Sequence, residues 1–132
     1  MNYLEILVAS VAVFALGAIW YGPVFGKTWM KLEGITQDSI RAMKLTPGQA
    51  MAMGFVNTII MVSVLNWLIS TLAITTIAAA VTPILLVWLG FLVTTSAGDF
   101  LWKGKSVKLF LFNISYQLAS TAIAAAILVC WA

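Results

Sequence analysis

A chain of 132 residues that is 63% hydrophobic and only 8% charged, with a net charge of +3, cannot hide its apolar side chains in one water-soluble core. It has no histidine and a single cysteine, Cys130, which rules out a disulfide framework and removes the commonest general base and metal ligand. In hydrocarbon each segment must satisfy its own backbone polar groups. The composition therefore predicts an all-α integral membrane protein, a four-helix transmembrane bundle forming one domain over residues 1–132.

The first apolar segment runs from about Tyr3 to Tyr21. It carries Glu5 where a leader would carry lysine or arginine, and it reaches Trp20-Tyr21 without a small-residue cleavage site, so it reads as a retained span. Gly22-Pro23 predicts its end, because proline cannot continue a helix and disfavours helical geometry in the residue before it. The charged connector from Lys27 to Thr46 follows. Within it a short interfacial helix is expected over Gln37 to Lys44, capped by Thr36, with Ile40, Met43 and Leu45 toward the headgroups and Arg41 and Lys44 toward phosphates. A packed loop helix with no lipid role is the alternative.

Thr46-Pro47-Gly48-Gln49 reads as a helix start: a threonine cap, proline at the first position, and glutamine three residues after the cap. No charge then appears until Asp99, a run long enough for two spans and a turn. The second span is placed at about Pro47 to Ile69. The third runs from about Pro83, capped by Thr82, to Trp102; a start as early as Thr76 with a kink at Pro83 is the alternative. After Lys103-Gly104-Lys105, Ser106 caps a fourth span over about Val107 to Trp131.

All seven lysines and arginines lie in or beside the first and third connectors. The positive-inside rule makes that face cytoplasmic and puts both termini on the other side, in a multi-pass protein of the inner (plasma) membrane. Trp20, Tyr21 and Trp102 fall at the basic boundary, and Tyr3, Trp67 and Trp131 at the opposite one. Trp88 fits neither belt.

Four polar residues inside the spans are candidates for function. Asp99 lies about one turn inside the end of span three, where both the hydrocarbon and the helix dipole disfavour a carboxylate. Lys103, four residues on, is its expected partner in a helix-end ion pair; a cation or proton site is the sharper reading. Asn57 and Gln117 lie near the midplane, with Asn113 one turn from Gln117 toward the basic face. Amides at that depth bond across helices, joining spans two and four, or else line a path for a small substrate. Gly90, Thr94 and Gly98 repeat at a spacing that lets helices approach closely. Glu5 is expected near the outer boundary, where solvent or the α-amino group satisfies it. No nucleophile–base pair, phosphate-binding loop or metal-ligand set can be read from the sequence, so no catalytic residue, cofactor, metal or nucleic-acid partner is expected.

Two separated motifs carry a resemblance. Gly17-Ala18-Ile19-Trp20-Tyr21-Gly22-Pro23, followed by Phe25-Gly26-Lys27-Thr28-Trp29, resembles the signature of the bacterial family called domain of unknown function 1761, with Gly22 where that family usually has serine. Leu101-Trp102-Lys103-Gly104-Lys105 and Asn113-Ile114-Ser115-Tyr116-Gln117-Leu118 are similar to its C-terminal part. The resemblance implies a small multi-helix membrane protein and assigns no activity. Residues and resemblance together lead to one expectation: a structural or accessory subunit of a homo-oligomer or larger membrane complex, surrounded by lipid and without enzymatic activity. The alternative is a small oligomeric transporter or channel lined by spans two to four.

Overall fold

The computed structural model describes residues 3–35, 38, 42 and 46–131. Among these residues the chain is helical and contains no strand. Helix α1 spans Tyr3–Val24, α2 Gly26–Glu33, α3 Pro47–Thr71, α4 Ile77–Trp102 and α5 Val107–Trp131. Four of them (α1, α3, α4 and α5) are long and apolar enough to cross a membrane.

The helix starts follow from local chemistry. Thr46 and Gln49 form the expected capping box: Gln49 N–H donates to Thr46 Oγ1 at 3.1 Å, and Thr46 N–H donates to Gln49 Oε1 at 3.0 Å. Ser106 caps α5, accepting Leu109 N–H at 3.1 Å. Helix α4 begins at Ile77, which is the earlier of the two expected starts and not the one at Pro83, since Thr76 is the cap that captures a backbone donor, Ala79 N–H at 3.1 Å. Pro83 is carried inside the helix, and a π-helical stretch follows at Trp88–Val93.

The regular helix of the first span breaks at Gly22-Pro23 as expected, with Gly22 outside helical geometry (φ −115°, ψ −106°). A wide turn over Trp20–Val24 spans the break, and Phe25 N–H donates to the Trp20 carbonyl at 3.0 Å. Helix α2 then starts at once, where the sequence reading had only a connector. It ends at left-handed Gly34 (φ +74°), with Ile35 N–H returned to the Met30 carbonyl at 2.9 Å. The interfacial helix expected over 37–44 lies outside the described residues apart from Asp38 and Ala42, which are joined by an N–H···O=C bond of 3.0 Å.

Helix α5 is the axis of the bundle: α1, α2, α3 and α4 all pack on it, and α1 also packs along α3. The dry core sits at the end where α1 and α4 begin. There Ile6, Ala9 and Val13 meet Val62, Leu65 and Ile69, Ala80 and Ile84, and Ala124, Ala125, Leu128 and Val129. Alanines at 9, 80, 124 and 125 let the backbones approach where apolar area gives no preference between lipid and neighbour. Glu5 belongs to this end and is buried, and its place in the first turn of α1 suits a carboxylate to the helix dipole; the α-amino group expected as one of its two possible partners lies outside the described residues. Among the described residues nothing lies within 4 Å of where a Cβ on Gly90 or Gly98 would stand, so the small-residue row on α4 makes no close approach to them.

Candidate functional site

The opposite end of the bundle, where α1 ends and α5 begins, is built from rings and polar groups. Trp20 and Tyr21, brought around by the wide turn at the end of α1, face inward onto α5. Tyr21 meets Tyr116 and Trp29 edge-on, each with centroids 5.0 Å apart. Trp20 lies 5.0 Å from Phe25 and 5.9 Å from Phe112. Such pairs contribute roughly 0.5–1.5 kcal/mol each beyond their burial. Trp20 is thus a packing residue, and its Nε1 is buried with no acceptor among the described residues.

Two glycines make this packing possible. A Cβ on Gly17 would stand 2.6 Å from Tyr116 Oη, and one on Gly26 would stand 2.8 Å from the Tyr21 carbonyl oxygen. The two sequence motifs are therefore halves of one cluster, with the glycines of the first leaving room for rings of the second and for the turn between α1 and α2.

Beside the rings lies a recess of about 260 Å³, lined by Tyr21, Ser96, Asp99, Phe100, Lys105, Leu109, Phe110, Asn113, Tyr116 and Gln117. Tyr21 O–H donates to Asn113 Oδ1 at 2.9 Å, which leaves the Asn113 amide N–H groups as donors. Gln117 Nε2 donates to Ser96 Oγ at 3.1 Å. At the rim Lys103 Nζ lies 3.1 Å from Asp99 Oδ1, with Asp99 58% exposed. This i,i+4 pair sits near the end of α4, and its carboxylate is also one wall of the recess. Lys105 Nζ reaches Glu33 Oε2 at 3.4 Å, which ties the third connector to α2 and puts the first and third connectors at one end.

The structure thus brings Asp99, Asn113 and Gln117 together and leaves Asn57 apart. The amides join α5 to α1 and to α4, rather than spans two and four. Asn57 is exposed on α3 and has no hydrogen-bond partner among the described residues. Trp88, which fitted neither aromatic belt, is explained by its own bond: Nε1 donates to the Ile114 carbonyl at 2.8 Å. Sequence reasoning missed Tyr21, Ser96 and Tyr116 as recess residues; the signal for the two tyrosines was their place in the motifs, and Ser96 gave none. Among the described residues no group of three or more His, Cys, Asp or Glu is placed to hold a metal. The recess offers an amide donor, hydroxyls, a carboxylate and aromatic walls, a set suited to holding a small polar solute.

No curated protein and no solved structure matches this chain. A family model matches residues 4–129, covering the α1 turn, the aromatic cluster and the recess alike: the chain belongs to the family described as protein of unknown function (DUF1761).

Proposed function

We propose that this chain is a non-catalytic subunit of a membrane assembly, formed first of all with a second copy of itself. The observation that supports this is Asn57. It lies roughly 3 Å along the axis from the middle of α3, at about 1.5 Å per residue, where hydrocarbon supplies no partner for an amide. Its neighbours on that face, Met53, Ile60, Val64 and Trp67, are exposed, and with Asn57 they alternate by four and three residues. This is the spacing of a helix–helix seam, in which one asparagine fixes register and partner number. An amide both donates and accepts, so Asn57 pairs with its own copy across a two-fold axis.

The test is energy transfer between copies labelled at the exposed Cys130 and reconstituted in vesicles over a range of protein-to-lipid ratios. Wild type self-associates, and Asn57→Leu weakens association about 3- to 30-fold, the equivalent of about 0.6–2 kcal/mol for an interhelical amide pair. Wild type that stays monomeric throughout, or a leucine variant that associates as wild type does, refutes the proposal.

The recess favours a second reading, a small oligomeric transporter in which Asp99, Asn113 and Gln117 receive a polar solute. Under either reading the basic end, with the first and third connectors, is cytoplasmic, and the termini lie outside in the inner (plasma) membrane. The histidine-free composition supports a non-enzymatic role.

A further inference from the structure

Separate from the polar recess, α2 and the start of α5 line a second hollow. Thr28, Lys31, Leu32, Ser106 and Lys108 line a basin of about 450 Å³. Lys31 and Lys108 come from different helices, and neither forms an ion pair among the described residues. This sets them apart from Lys103 and Lys105, which both have carboxylate partners. Ser106 accepts the Leu109 N–H as the α5 cap and keeps its own O–H to donate. Two ammonium groups and two hydroxyls around one open basin are the donor set of a phosphate.

The basin is not closed below. It shares Thr28, Leu32 and Lys108 with a groove of about 540 Å³ whose other walls are Trp20, Phe25, Leu111, Phe112 and Ser115. This groove runs along the outer face of the α1–α2 turn and α5. A cationic, hydroxyl-lined head on an almost wholly apolar track fits one kind of molecule: a phosphate ester carrying an acyl chain.

We propose that this hollow is a specific site for one anionic phospholipid, with its headgroup phosphate between Lys31 and Lys108 and an acyl chain lying along Trp20, Phe25 and Phe112. The site is separate from both the Asn57 seam and the polar recess. Its occupant would cover the outer side of the aromatic cluster and tie α2 to α5 through the two lysines.

The experiment uses the full chain, delipidated in a neutral detergent and titrated with dioctanoyl phosphatidylglycerol, dioctanoyl phosphatidylcholine or inorganic phosphate, with native mass spectrometry counting bound molecules. One phosphatidylglycerol should bind saturably, with phosphatidylcholine at least tenfold weaker and inorganic phosphate weaker still. The double change Lys31→Gln with Lys108→Gln should weaken phosphatidylglycerol binding roughly thirtyfold, about fivefold for each lysine beside an anionic lipid. Lys103→Gln, outside the basin, should leave it unchanged. The two basin lysines are exposed, so their loss leaves the core intact. Leu111→Gln, which places an uncharged polar group in the track, should weaken lipid binding while leaving the response to inorganic phosphate as it was. Equal binding of the two lipids, equal loss in the Lys103 variant, or phosphate binding as tight as the lipid would each overturn the proposal.

Discussion

Replacing Gly17 with alanine puts two effects of opposite sign at one atom. A Cβ there stands 2.6 Å from Tyr116 Oη but 3.4 Å from Tyr116 Cζ, so the hydroxyl oxygen alone makes the clash. The ring has little freedom to withdraw, since Tyr21 lies 5.0 Å from it and Trp20 5.9 Å. Overpacking of this kind costs about 1–3 kcal/mol, while glycine to alanine within a helix returns about 0.8–1.0 kcal/mol. Gly17→Ala alone should therefore range from neutral to about 2 kcal/mol destabilising. In a Tyr116→Phe background the oxygen is gone and only the propensity gain remains, so the same change should stabilise by about 1 kcal/mol. The coupling between the two positions is then about 1–3 kcal/mol, well above the error of a double-mutant cycle. The assay is reversible unfolding in mixed micelles, titrated with a denaturing detergent and followed by helical circular dichroism, for all four proteins. A coupling below about 0.5 kcal/mol would refute the claim that Gly17 exists to seat Tyr116.

The turn between α3 and α4 holds Ala73 at φ +54°, a left-handed conformation that costs an L-residue roughly 1–2 kcal/mol, so Ala73→Gly should raise stability by up to about 1 kcal/mol in the same titration; a destabilised variant would show that the alanine methyl matters more than the backbone. Sidedness is read at Cys130 near the end of α5: a membrane-impermeant maleimide added to intact cells should label it without lysis, and labelling only after lysis would invert the proposed topology.

What could be read in advance, and what could not, divides by the range of the interaction. The caps at Thr46 and Ser106 were legible because donor, acceptor and cap lie within three residues of each other. At Pro83 the same logic misled, since proline suits a first position, yet Thr76 offered a cap that needed no proline and the helix kept Pro83 inside. Depth was legible too, and Asn57 and Gln117 could both be placed near the middle of their spans by counting. Rotation about the helix axis was not. Lipid is as apolar as the interior, so the pattern that would show which side of α3 faces its neighbours is missing. That is why Asn57 was expected across from Gln117, whereas Gln117 pairs with Ser96 on α4. Trp88 illustrates the same limit: its depth could be counted, but its acceptor on Ile114 belongs to another helix.

Because every other helix leans on α5, the order of synthesis is also an order of waiting. Helices α1 and α3 can find each other early, with Phe14 against Phe55 at 5.5 Å, and form a hairpin in the bilayer while the ribosome is still at work. Helix α4 inserts next and has its main lateral support only on a helix not yet made. For that interval it is a lone span with Asp99 near its end and Trp88 unbonded, the form in which insertion factors and quality-control proteases would meet it. Chains stalled before Val107 should therefore be cleared quickly, and completion of the last helix converts a loose set of spans into a durable protein.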